Sequence, residues 1–173
     1  MNADNINYKL RNANQDDLPA ILDIYNYEIE HAAAIYFYDQ LPFSWIQNWY
    51  DSKLINDFPI VVAENNEKVI GFATYGKFRD RPAYQFTVEH SVYIHKDFRR
   101  FGIASALLVK IITMANEAGY HTLIGGVDAS NQGSITFHKQ HNFTEVAHFK
   151  EVGFKFNHFL DLKFFQLILK RGN

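Results

Sequence analysis

A chain of 173 residues in which 47% are hydrophobic can build one sizeable core, so residues 1–173 are expected to form a single domain and not a disordered segment. The net charge of -2 shows none of the basic excess that marks a nucleic-acid-binding surface. The complete lack of cysteine excludes disulfides, thiolate-held zinc and any mechanism that parks an acyl group on a protein thiol.

Met1 to Asn12 is polar and carries no apolar stretch of the kind that opens a secretory leader. The longest apolar run, Ala104 to Ala115, is interrupted by Lys110 and is too short to cross a bilayer. A cytoplasmic protein without membrane or nucleic-acid partners is therefore expected. Aromatic residues reach 16%, so much of the core must be ring against ring.

In chain order, Tyr8 to Ala13 reads as a short strand. Asn14 follows as a helix cap, with Asp16 and Asp17 in the first turn where the helix dipole favours them. Leu18, Ile21, Leu22 and Tyr25 then keep helical spacing, which predicts an amphipathic helix over 15–30. A second helix is expected over Ser44–Ile55, with Trp45 and Trp49 one turn apart. Pro59–Ala63 and Lys68–Tyr75 flank a polar turn and read as a hairpin, and Tyr84–Ile94 as a long strand. Gly102–Ala118 is the strongest helix, closed by Gly119. Strand Thr122–Val127, helix Asn131–His141 and strands Phe143–Glu151 and Phe156–Leu169 complete a mixed α/β pattern.

The junction after Ile94 carries the chemistry. A strand runs into a loop, and the loop opens a helix with Arg99-x-x-Gly102-x-Ala104 at the join. A helix start presents unpaired N–H groups and partial positive charge, which suits a diphosphate; Gly102 lets backbone approach it and Ala104 leaves room. By itself, so short a pattern also fits an ordinary basic turn.

With Asn131 at the start of the next helix, the arrangement resembles the GNAT superfamily of N-acetyltransferases. The segments Tyr84–Ile94, Asn131–His138 and Val152–Phe156 are similar to its phosphinothricin N-acetyltransferase branch. The resemblance implies a mixed, mostly antiparallel sheet splayed at its centre and flanked by helices, with acetyl-CoA as co-substrate. It implies that Val92, Tyr93 and Ile94 offer backbone groups to the cofactor. Arg100, Phe101, Gly102, Ile103, Ala104 and Ser105 would hold its diphosphate, and Asn131 would touch it from the next helix. Glu89 and His138 take the branch's catalytic places, and the loop around Pro82, Ala83 and Tyr84 its substrate side.

The chemistry accommodates these assignments. An amino acid arrives as an ammonium ion, so a base such as Glu89 must take a proton before nitrogen attacks the thioester. His138 stands where many relatives place a tyrosine that protonates the leaving thiolate, and imidazole can hold a proton near neutral pH. Each also has a bland reading, a strand-end ion pair for Glu89 and a packed helix residue for His138. Arg79 is expected to hold a substrate carboxylate, with Lys155 as a second candidate. His138 and His141 lie one turn apart but lack a third ligand, so no metal is expected.

The chain departs from the branch in two places. Asn142-Phe143 stands where relatives have Gly-Phe, and Asn tolerates the same positive-φ cap. Lys155-Phe-Asn157-His-Phe159-Leu-Asp161 lacks the branch's Gly and Trp, so the cleft wall differs there. The expected activity is transfer of acetyl to the α-amino group of a small glutamate- or methionine-like compound, by direct attack in a ternary complex. The alternatives are another amine, such as a polyamine or a protein N-terminus, and a non-catalytic acyl-CoA sensor. The aromatic stretch Phe149–Phe165 offers a surface for a homodimer.

Overall fold

The computed structural model describes residues 6–169. Residues 1–5 and 170–173, including the tip of the expected leaderless N-terminus and the end of the 1–173 domain, lie outside the described residues.

Seven strands form one sheet: β1 (Lys9–Asn12), β2 (Ile60–Asn65), β3 (Lys68–Lys77), β4 (Thr87–Ile94), β5 (Thr122–Asp128), β6 (Thr144–Lys155) and β7 (His158–Ile168). They lie in the order β1-β2-β3-β4-β5-β7-β6. Every neighbouring pair is antiparallel except β4 with β5. Four helices accompany them: α1 (Leu18–His31), α2 (Phe43–Ile55), α3 (Ile103–Glu117) and α4 (Gln132–Gln140). The mixed, mostly antiparallel sheet expected from the sequence is the observed one.

Side-chain alternation along β2 shows how the sheet is covered. Ile60 and Val62 face α1 and α2, in a cluster with Leu18, Ile21, Ile46 and Phe72. Val61 and Ala63 face α3, among Leu107, Leu108, Ile111 and Val88. A strand buried on both faces needs a continuous apolar run, which is how Ile60 to Ala63 reads.

Several boundaries differ from expectation for local reasons. The first helix is preceded by a separate 3-10 turn, Gln15–Asp17, and Pro19 sits in the first turn of α1, where its missing N–H costs nothing. Asn14 Oδ1 accepts from the Asp16 N–H at 2.8 Å, as a cap should. Strand β4 starts at Thr87, not Tyr84, because Pro82–Tyr84 form a 3-10 turn and proline cannot donate to a ladder. Strand β6 continues to Lys155, and Phe156 and Asn157 form the two-residue turn to β7, both at positive φ (52° and 61°). Asn142 takes the expected positive φ, 65°.

The Asp17 carboxylate fastens this N-terminal corner. It accepts from Arg11 at 2.6 and 2.7 Å and from the Asn14 N–H at 2.8 Å. Burial pushes its pKa up, but the Arg11 guanidinium and the Asn14 N–H outweigh burial and leave it below the usual carboxylate value. A lowered carboxylate pKa contributes stability above the unfolded value, and that contribution is lost as pH falls through the folded one. Arg11→Met should therefore lower stability by about 1.5–3 kcal/mol at pH 7, with the deficit shrinking in acid; urea titrations at both pH values check this.

Candidate active site

The site exists because two central strands part. β4 and β5 pair only through Thr87–Glu89 against Thr122–Ile124. Beyond Glu89, β4 remains paired to β3 and β5 to β7, so a cleft opens between them. The cleft has a volume of about 390 Å³. Glu89, His90, Val92 and Tyr93 line it from β4, and Ser134, Phe137 and His138 from α4. Ala34, Ile35 and Tyr36, between α1 and α2, close one side.

Two consecutive glycines on β5, which sequence reasoning passed over, make room for the acid and base candidates. A Cβ on Gly126 would lie 3.1 Å from Glu89 Oε1, and one on Gly125 would lie 2.6 Å from His138 Nε2. Successive strand residues point to opposite faces, so Glu89 and His138 approach β5 from opposite sides and meet only where the sheet is open. A Gly-Gly pair inside a buried apolar strand was the available signal, since glycine there often marks close approach of another group.

Burial moves both groups toward neutrality. It pushes the Glu89 carboxyl above its ordinary range, partly opposed by the charge of Arg79. It lowers His138, opposed by the bond to Ser134 and reinforced by His141. Ser134 O can only accept, so the 2.7 Å contact makes His138 Nδ1 the protonated nitrogen. Nε2 then carries the lone pair, and it is buried without a partner. A neutral ring of this tautomer can take a proton at Nε2, but it cannot give one that it has not first received.

A second cavity, about 250 Å³, lies at the start of α3 and is lined by Ile94, Arg100, Gly102, Ile103, Ala104 and Ser105. Gly102 adopts φ +76°, a conformation that favours glycine, and no side chain caps the helix. The first-turn N–H groups are thus left for an anion. Phe101 lies beside this cavity in sequence and is exposed. Asn131 lines neither cavity; its Oδ1 accepts from the Ser134 N–H at 2.9 Å and caps α4.

The expected substrate loop is placed differently. Arg79, Pro82 and Tyr84 line a neighbouring cavity with Phe58, Thr87 and Val88, and Ala83 does not reach its wall. Arg79 packs over the Phe78 ring at 4.3 Å and donates to Phe78 O at 3.0 Å, without a carboxylate partner. It is nonetheless near enough to Glu89 to act on its charge. Lys155 is not available to a substrate carboxylate: its buried ammonium donates to Ala32 O at 2.9 Å and Ile35 O at 2.6 Å, pinning the cleft wall to β6. Among the described residues, no group of three or more His, Asp or Glu is gathered as a metal would require.

A sheet parted at the one parallel pair among the described residues, with an uncapped glycine-led helix beside the gap, defines an acyl-CoA-type acyltransferase fold. The chain belongs to the acetyltransferase (GNAT) family, whose sequence profile matches residues 22–143. It is 36% identical over 160 residues to an L-methionine sulfoximine/L-methionine sulfone acetyltransferase of Salmonella typhimurium, covering 92% of this chain and 94% of that one. An N-acetyltransferase structure from Staphylococcus aureus Mu50 superposes with a TM-score of 0.93 at 45% identity, covering 95% of this chain and 99% of that one. A phosphinothricin acetyltransferase from Sinorhizobium meliloti, solved in complex with AcCoA, gives a TM-score of 0.92 at 31% identity and coverages of 95% and 90%.

Gly102→Val would force a β-branched side chain into a positive-φ site at the mouth of the second cavity. Calorimetry should show acetyl-CoA affinity weakened at least about ten-fold, while the far-ultraviolet spectrum stays native. Unchanged affinity would remove this cavity from cofactor binding.

Proposed function

We propose that the protein transfers acetyl from acetyl-CoA to the α-amino group of a small amino-acid-like compound of the methionine sulfoximine, methionine sulfone or phosphinothricin type. The observation that carries this reading is the convergence of Glu89 and His138 on one cleft that borders the α3 start. Kinship supports the substrate class, because relatives that span nearly the whole chain are named for these compounds.

Glu89 takes the first proton from the substrate ammonium, freeing the nitrogen lone pair. Beyond Glu89, the edge of β4 that faces the cleft has no ladder partner, so backbone N–H groups from Val92 to Ile94 can receive the thioester oxygen and the pantetheine arm. His138 Nε2 accepts the second proton as the nitrogen becomes an amide, then releases it to sulfur. The C–N bond forms as the C–S bond breaks, Glu89 gives its proton to solvent, and His138 ends neutral as it began. The first turn of α3, with Arg100 and Phe101 before it, holds the diphosphate, and Asn131 keeps α4 in register beside it.

Glu89 must be ionised to act, so kcat/KM should rise with pH through a limb above the ordinary glutamate range. Glu89→Gln should lower kcat about a hundred- to ten-thousand-fold and abolish that limb; a two-fold loss at every pH would make Glu89 structural.

Arg79, with the Pro82–Tyr84 turn, reads the substrate carboxylate; its action on Glu89 supports a place at the cleft's edge. Thiol release from acetyl-CoA, measured with methionine sulfoximine and its methyl ester, tests the substrate class. The ester should react about ten- to a hundred-fold more poorly, and Arg79→Ala should erase most of that difference. Equal rates for acid and ester in the wild type would favour a polyamine or protein N-terminus, and no thiol release with any amine would favour an acyl-CoA sensor.

The protein works as a cytoplasmic homodimer in this reading. Phe149, Phe154 and Phe159 lie exposed on the outer hairpin β6–β7, and an apolar surface of this kind supports a self-interface. No helix among the described residues is long and apolar enough to cross a membrane.

A further inference from the structure

One buried carboxylate takes no part in the chemistry above. Glu28 lies in the last turn of α1, where the helix dipole disfavours negative charge, and it is only 8% exposed. Its Oε1 accepts from the guanidinium of Arg99. Burial pushes the Glu28 carboxyl up, and the charge and hydrogen bond of Arg99 oppose that, with smaller help from His31 and Lys155. An acid kept out of water at the wrong end of a helix calls for an account, because burying a charge is costly unless its partner matters.

The partner stands at the cofactor loop. Arg99 opens the Arg99-x-x-Gly102-x-Ala104 pattern and lines the cavity at the start of α3. Besides the bond to Glu28, its Nε donates to Ile94 O at 3.4 Å, and its guanidinium carbon lies 5.6 Å from the centre of the Tyr27 ring. Ile94 ends β4, and Tyr27 and Glu28 belong to α1, so one side chain ties the loop to both elements. The loop needs such a tie. Arg100 adopts φ +69° and Gly102 φ +76°, two left-handed residues within three. A residue with a side chain holds that conformation only where its surroundings impose it, and Arg99 is the residue immediately before.

We infer that Glu28 is a positioning residue for the cofactor: through Arg99 it holds the loop from Arg99 to Gly102 in the form that aims the first-turn N–H groups of α3 at a diphosphate. The inference rests on the reading of the α3 start as the diphosphate site. Glu28 acts through Arg99 and not on the ligand, so its contribution is preorganisation of the loop. The opposite arrangement predicts the opposite sign. Were Arg99 itself the ligand of the diphosphate, Glu28 would compete for it, and removing Glu28 would tighten binding.

The test pairs calorimetry on acetyl-CoA with thiol-release kinetics on two acetyl donors. S-acetylpantetheine carries the thioester and the pantetheine arm but no diphosphate, so it engages the cleft without the loop. Glu28→Ala should weaken acetyl-CoA binding about ten-fold and raise its KM likewise, with kcat within about three-fold of wild type. Its kcat/KM for S-acetylpantetheine should change far less, so the preference for acetyl-CoA shrinks about ten-fold; a general loosening of the fold would depress both donors alike. Glu28→Gln, which keeps an oxygen for Arg99, should restore much of the affinity. Arg99→Met should show the same loss confined to acetyl-CoA, and Glu28→Ala/Arg99→Met should be no worse than Arg99→Met, since the two act as a unit. If Glu28→Ala does not fold, Glu28→Gln and Arg99→Met carry the comparison. Acetyl-CoA affinity that is unchanged or tighter in a folded Glu28→Ala protein overturns the inference, as does an equal loss with both donors or an additive double variant. A wild type that does not prefer acetyl-CoA to S-acetylpantetheine removes the diphosphate site first, and this inference falls with it.

Discussion

The whole site depends on how short the parallel ladder between β4 and β5 is. Three residues on each strand hold the two halves of the sheet together, and past Glu89 the strands separate. Parallel pairing is the weaker form per residue, and the strands on either side are locked by long antiparallel ladders to β3 and β7. The sheet therefore opens at the one seam where opening sacrifices least. It creates free backbone edges in the middle of a core, where such edges must find a partner. In the proposed function a ligand arm that pairs as an added strand answers that demand, which would make the defect in the sheet the recognition surface as well.

Around the seam, the structure removes side chains on one strand and packs aromatic rings on the others. Gly125 and Gly126 leave both faces of β5 bare, and His90, His138, Phe143 and Phe165 fill one side. Lys155 supplies the far wall by donating to two carbonyls of the segment between α1 and α2. Tyr38 adds its hydroxyl to Phe154 O at 2.9 Å, and the Tyr36 ring covers Gly153 so closely that a Cβ there would come within 2.6 Å. One wall of the cleft is thus held by the β6–β7 hairpin, the region where this chain departs from the phosphinothricin-type pattern.

Much of this was legible in the sequence where local chemistry decides the outcome. Asn14, Gly119 and Asn142 announce caps and turns through their own backbone preferences and stand where expected, and Asn131 opens the helix expected there. That Glu89 and His138 belong to one site is what the resemblance to the phosphinothricin N-acetyltransferase branch implied, and both line the one cleft. What the sequence did not disclose is tertiary. Lys155 looked like a free cation on a strand, and only the return of residues 32–35 against it reveals that its protons are spent. Arg79 and the Pro82–Tyr84 turn line a cavity of their own beside the cleft, an arrangement that no local pattern announced. His90 falls in a run of strand residues with no local signal, and only the fold shows the His138 ring that α4 lays over it.

Burial gives the acid–base chemistry its direction. Taking a carboxyl out of water raises its pKa, and taking an imidazole out of water lowers it. In this cleft Glu89 moves up and His138 moves down, so the ordinary gap between a carboxylate and an imidazole narrows. In the proposed mechanism a raised Glu89 is the stronger base toward the ammonium, and a lowered His138 gives its proton up to sulfur more readily. A water-filled groove would restore the gap, leaving Glu89 a weaker base and making a charged His138 slower to surrender its proton. In that mechanism the aromatic lining and the pinned wall serve the chemistry as well as the core, because they keep Glu89 and His138 out of water while the β4–β5 seam stays open to the reactants.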